Sequence, residues 1–337
     1  MRRLLASPDV AVHSSWFTYV VHTIHAVERD WPAKLTDAVV WYDYFAIPQD
    51  REANLAGFEA AVASIPAYVE RASFMLVLCP AAAHKDSVDA HGEPVLCDYF
   101  SWKRRGWCRV ERVTMYITNF YKRCPIMLVQ DDLIEMEGIT DELFLHVGLG
   151  DFACCAMGHR VRGKAVECDK QYAGTILRSL ITQAGTPETD DERWFRALRP
   201  FFLVGLPTGW LQAEEDGTSV AAFLAAYGFA SVHDGAESGW TPLRFAVVAG
   251  YVDAVKGMLA MKADVEAPLK ESAPNRAHCE GTSILGTAMT FGQAQTGRRI
   301  LSALLENGAN PDHHTTDERR MRPPGVAAYH MNAEGDS

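Results

Sequence analysis

The run Trp102-Lys103-Arg104-Arg105-Gly106-Trp107-Cys108-Arg109-Val110-Glu111 sets a carboxylate among aromatic and basic side chains, and the elements on either side of it give the fold. Upstream, Ala38 to Tyr42 reads as a short buried strand, with Asp43 at its C-terminal end and Ile47-Pro48-Gln49-Asp50 breaking the element. Residues 54–63 are alanine-rich, and Leu55, Phe58 and Val62 form one helical stripe. Pro66 suits the first turn of a separate helix over 66–72, where its missing N–H costs nothing. Phe74–Cys79 is a second strand ended by Pro80, Cys108 to Tyr121 a helix, and Pro125–Val129 a third strand. Trp16, Val20, Ile24 and Val27 predict a further helix over 14–29. Strands alternating with helices imply a parallel sheet with right-handed crossovers. Such sheets bind ligands at the C-terminal ends of their strands. Asp43, Gln49 and the loop from Pro80 to Gly106 are expected there.

Composition narrows the function. A chain of 337 residues with 48% hydrophobic content can fill two domain cores. A net charge of −11 opposes general nucleic-acid binding, which needs a basic face. No apolar run approaches the ~20 residues that span a bilayer, and Asp9 and His13 interrupt any signal-peptide core, so neither nucleic acid nor membrane is an expected partner and the cytosol is the expected compartment. The eight cysteines include no CxxC pair, and the vicinal Cys154-Cys155 reads as packed thiols. His84, His91 and Cys97 match no zinc spacing, so no metal site is expected.

Over residues 36–130 the order of elements and motifs resembles the Toll/interleukin-receptor (TIR) superfamily and its relative, the heterokaryon-incompatibility domain. The resemblance rests on Trp107-Cys108-Arg109-Val110-Glu111, which stands where TIR domains carry a Trp-Cys-x-x-Glu motif. Trp41-Tyr42-Asp43 with Gln49, followed by Trp102, Arg105, Trp107 and Glu111, is similar to the heterokaryon-incompatibility pattern. It implies a flavodoxin-like parallel sheet and a domain prone to self-association. It also implies an alternative activity, hydrolysis of NAD as substrate with no cofactor required. Glu111 would then be catalytic, and Asp43, Trp102, Arg105 and Trp107 would contact the nucleotide. A carboxylate can stabilise an oxocarbenium-like ribosyl centre as nicotinamide leaves. The plainer role for Glu111 is an ion pair with Arg104, Arg109 or Arg112 on a first helical turn. One departure stands out: the superfamily opens with a β-strand, and nothing in Met1–Ser15 reads as one. Either that strand is missing or the sheet is rearranged.

Gln171 to Gln183 is amphipathic, with Ile176, Leu177, Leu180 and Ile181 on one side. Gly185-Thr186-Pro187-Glu188-Thr189-Asp190-Asp191 reads as a linker. Beyond it, Gly239-Trp240-Thr241-Pro242-Leu243-Arg244-Phe245-Ala246 resembles the ankyrin opening, with arginine at 244 where that family usually has histidine. A second copy opens at Gly281-Thr282-Ser283-Ile284-Leu285 and closes at Leu304–Asp312. The openings lie 42 residues apart, longer than the period of about 33. Insertions around Pro268–Cys279 and Gln293–Gly297 account for the excess. A half-copy precedes them at Val220–Gly228, and a degenerate opening follows at Arg322–Ala328.

The expected architecture is therefore a TIR-like α/β domain over 1–184, a linker over 185–191, an all-α ankyrin-repeat region with a helical cap over 192–330, and a disordered tail over 331–337. The expected function is protein–protein interaction and signalling, with an unnamed protein held on the ankyrin surface.

Overall fold

A computed structural model describes residues 39–42, 46–48, 53–72, 75–88, 91–119, 126–130, 134–137, 146–161, 163–181, 186–207, 218–273, 276, 278–292 and 296–331. The helix expected over 14–29, the loop residues Asp43 and Gln49, and residues 332–337 lie outside the described residues. The chain divides into two compact units, Met1–Phe100 with Pro125–Glu137, and Ser101–Cys124 with Gly138–Ser337. The segment 185–191, read from sequence as a linker, falls inside the second.

In the first unit, α1 (Leu55–Arg71) begins at Asn54, whose side chain accepts from the Gly57 N–H at 2.9 Å. The break expected at Pro66 does not occur. Phe58, Val62, Ile65 and Val69 bury one continuous stripe across it, and that packing outweighs one missing backbone bond. β1 (Met75–Leu78) pairs in parallel with β4 (Ile126–Val129), and β5 (Ile134–Glu137) pairs antiparallel with β4. The sheet is mixed where an all-parallel one is expected. The strand expected over Ala38–Tyr42 does not form in its described part: residues 39–42 carry no strand pairing, and Val39 is 95% exposed. Its β-branched composition led to that reading, but exposed β-branched residues drive no pairing. The loop expected after Pro80 holds a hairpin, β2 (Ala82–Val88) with β3 (Pro94–Cys97).

Among its described residues the second unit is mostly helical, with one short hairpin. α2 (Tyr99–Arg104) leads into α3 (Gly106–Asn119), which packs on α5 (Asp169–Ile181). Between them lie α4 (Ala153–Ala156) and the hairpin β6 (Arg160–Val161) with β7 (Lys164–Ala165). α6 (Asp190–Ala197) opens with a capping box. The Thr189 hydroxyl accepts from the Glu192 N–H, and the Glu192 carboxylate accepts from the Thr189 N–H. That reciprocal pair is why the end of the expected linker is the start of a helix. α7 (Arg199–Phe202) follows.

The remaining helices form two rows. α9 (Pro242–Ala249) packs on α6, α11 (Ile284–Phe291) on α9, and α13 (Pro323–Met331) on α11. Beside them α10 (Val252–Ala260) packs on α8 (Val220–Tyr227), and α12 (Thr296–Glu306) on α10. The α9–α10 and α11–α12 pairs repeat one another in local chemistry. Thr241 and Ser283 cap α9 and α11 in the same way, accepting from the N–H groups of Arg244 and Gly286. α10 and α12 end in matching left-handed turns, with Lys262 at φ 63° and Gly308 at φ 92°. In each, the next amide reaches back five residues, Ala263 to Met258 and Ala309 to Leu304, both at 3.0 Å. Asp264 and Asn310 then hold identical Asx turns, accepting from Glu266 and Asp312 at 2.9 Å. Glu266 also reaches the next copy, accepting from the Asn310 N–H at 2.6 Å and pairing with His313 at 3.0 Å.

Arg244 is fully buried and binds one copy to the next. Its guanidinium donates to the carbonyls of Gly239, Ala267, Thr282 and Ser283 and to the Thr287 hydroxyl. Burial pulls its pKa down to about 9. The five hydrogen bonds favour the charged form and keep it protonated at neutral pH. Among the described residues no helix is long and apolar enough to cross a membrane.

Two substitutions test this account of the repeats. Lys262→Gly relieves a left-handed conformation that disfavours a side chain and is expected to raise unfolding free energy by about 1 kcal/mol. Arg244→Lys keeps the buried charge but loses the planar fork and is expected to cost about 2–4 kcal/mol. Chemical denaturation of the full chain measures both. Equal stability of the lysine variant and the parent would contradict the role given to Arg244.

Candidate functional site

Four of the five residues singled out from sequence lie on α2, α3 and the joint between them; the fifth, Asp43, lies outside the described residues. The joint is built by backbone. Asp151 donates its N–H to the Arg104 carbonyl at 2.6 Å and accepts from the Gly106 N–H at 2.8 Å. Glycine is needed on both sides of this crossing: a Cβ on Gly150 would stand 2.7 Å from the Gly106 Cα, and one on Gly106 would meet the Phe152 ring at 2.2 Å. α3 therefore starts where the 146–152 segment holds it.

Each side chain then has a definable environment. Trp107 donates its indole N–H to the Asp169 carboxylate at 2.9 Å and sets its ring edge-on to Phe152, with centroids 6.2 Å apart. Trp102 lies under the buried Arg112, whose guanidinium carbon stands 5.6 Å from the ring centroid. Arg109 donates to the carbonyls of Lys103 at 2.7 Å and His146 at 3.0 Å. Arg104 pairs with Asp151 at 3.2 Å, both largely in solvent. Arg105 is exposed, and Glu111 is half-buried one turn beyond Trp107. Trp107 and Arg109 thus hold the helix in place, and Arg105 stays in solvent.

Asp169 connects this helix to a second group. Asp169 is buried; its backbone N–H donates to the Cys154 sulfur at 3.2 Å, while its carboxylate receives Trp107. The Cys154 and Cys155 sulfurs lie 3.9 Å apart, and Cys155 and Cys168 3.7 Å apart. With His159, the ligating atoms of all four residues fall within 4.8 Å of one another. Burial pushes the Cys154 thiol up to about 12, with the Asp169 N–H opposing the rise; burial raises Cys155 as well. Sequence spacing gave no sign of this group, since it contains no CxxC. Gly158 and His159, both with positive φ, turn the chain back on itself and bring the group together.

No family model, curated protein or solved structure matches this chain.

Removing the indole donor leaves a buried carboxylate short of a charge-assisted hydrogen bond. Trp107→Phe is therefore expected to cost about 1.5–3 kcal/mol. Urea unfolding followed by circular dichroism reads this out, and a loss below about 0.5 kcal/mol, the range of neutral surface changes, would show that the Trp107–Asp169 bond does not hold α3.

Proposed function

We propose that this is a cytoplasmic interaction and signalling protein in which a TIR-like domain is joined to a short ankyrin-like binding module. The observation that carries the reading is the repeated cap, left-handed turn and Asx turn in successive helix pairs, linked by Glu266 from one copy to the next. Stacked helix pairs of this kind present loops and one helix row as an extended surface for another protein. The segment between the copies, with Lys270 and Glu271 exposed, is the part of that surface where insertion has enlarged the loop. The TIR-like reading draws on the parallel β1–β4 pair and on Trp107-Cys108-x-x-Glu111 at the start of α3. In this reading the TIR-like domain self-associates, and partner binding by the repeats gathers copies of it.

A second reading, NAD hydrolysis at Glu111, is favoured by the exposed Arg105 and the half-buried Glu111 near the start of a helix that Trp107 and Arg109 hold in place. Concentrated full-length protein separates the two. The interaction reading expects no nicotinamide release; release that disappears in Glu111→Gln would replace it with the enzymatic one. For the binding surface, reversing both charges in Lys270→Glu/Glu271→Lys is expected to leave the melting temperature unchanged and to abolish cross-linking to the physiological partner. Reversal at Arg298 and Arg299 on α12 serves as the control. Identical cross-linked partners in the parent and the loop variant would contradict the assignment of that surface.

A further inference from the structure

We propose that Cys154, Cys155, His159 and Cys168 form a tetrahedral zinc site that staples the start of α5 to the segment carrying α4 and the β6–β7 hairpin. The inference is independent of the partner the repeats bind and of any reaction at Glu111.

Geometry comes first. In a tetrahedral site with Zn–S bonds of about 2.3 Å, neighbouring sulfurs stand about 3.8 Å apart. The sulfur separations are 3.9 Å for Cys154–Cys155 and 3.7 Å for Cys155–Cys168. The imidazole of His159 completes the group, with every donor within 4.8 Å of every other. Three thiolates and one imidazole are a soft, closed set that suits zinc and leaves no position for a reacting water, so the site is structural.

The backbone is arranged to deliver these four donors. α4 ends in a reversal in which the Gly158 N–H donates to the Cys155 carbonyl at 3.0 Å and the His159 N–H to the Cys154 carbonyl at 2.7 Å. Gly158 and His159 are both left-handed, at φ 60° and 55°. For histidine that conformation is uncommon, and here it turns the chain back towards the two cysteines in the middle of the helix. The β6–β7 hairpin then returns the chain, with the Val166 N–H donating to the His159 carbonyl at 2.9 Å, and brings Cys168 to Cys155.

Among the described side chains of residues 153–168 only Cys154 is buried, and the hairpin has two residues per strand. An isolated hairpin of that length does not hold itself together in water. A metal crosslink is the usual remedy where a core cannot form. Outer contacts suited to a thiolate site are in place. The Asp169 N–H donates to Cys154, and the Asp169 carboxylate is fixed by Trp107. On binding, each thiol releases its proton to solvent and its sulfur coordinates the ion. No electrons are transferred and no oxidant is needed.

The test uses the full chain grown with zinc and purified under reducing conditions. Elemental analysis is expected to find about one zinc per chain. Cobalt added to chelator-stripped protein should give thiolate-to-metal charge transfer with tetrahedral visible bands, a readout that needs no variant. Cys155→Ser/Cys168→Ser should lose the metal. Cys97→Ser, a thiol outside the group, should retain it. His159→Ala should weaken cobalt binding by more than the roughly 10- to 100-fold typical of losing an outer contact, whereas His159→Cys should restore it. Zinc absent from folded protein together with no cobalt spectrum would overturn the proposal. So would full zinc retention in the double variant.

Discussion

The second unit depends on one side chain, Trp194. It is fully buried, and its indole N–H donates to the Tyr116 hydroxyl at 2.9 Å. Tyr116 lies on α3 and Trp194 on α6, 78 residues apart in sequence. Trp240, His278 and Phe291 pack edge-to-face with the same indole, with ring centroids 5.6, 5.7 and 5.3 Å away. Three of the elements it joins, α3, α6 and α11, come from distant parts of the chain. Burial pushes the Tyr116 phenol further from ionisation, so this hydrogen bond persists through the physiological pH range. A buried Trp–Tyr bond surrounded by aromatic edges combines a large apolar area with a single directional contact.

Around that centre the repeats are set by polar chemistry. Arg244 satisfies four carbonyls and a hydroxyl that stacking would otherwise bury without partners. Asp191 pairs with Arg276, and that guanidinium lies 4.4 Å over the Trp240 ring, so the enlarged loop is tied back to α6. Such networks are intolerant of partial loss, because each missing donor exposes a carbonyl with no access to water.

What the sequence revealed follows the range of the forces involved. Thr241-Pro242 and Thr282-Ser283 were readable as helix openings because capping acts over three residues. α5 was readable from the spacing of Ile176, Leu177 and Ile181. Thr189-x-x-Glu192 carried an equally local signal, obscured by the surrounding Pro, Thr and Asp that suggest a linker. Pro66 misled because the stripe that carries α1 through it extends on both sides. Two features had no local signal. Trp194 meets Tyr116 across 78 residues, and the Cys154 group converges only after a left-handed turn at His159. Of the site residues, Trp107 stood out through the Trp-Cys-x-x-Glu motif, but its partner Asp169 did not, being 62 positions away.

The grouping of α3 with the helical repeats has the widest consequence, because it places Glu111 and the Trp-Cys-x-x-Glu motif in the same compact unit as α9 to α12. Hydrogen exchange of the full chain, followed peptide by peptide as denaturant rises, tests it most directly. The account predicts that peptides from α3 and from α9 to α12 lose protection together, as one cooperative unit linked through Trp194. Loss of protection in α3 at clearly lower denaturant, with α9 to α12 still protected, would contradict it.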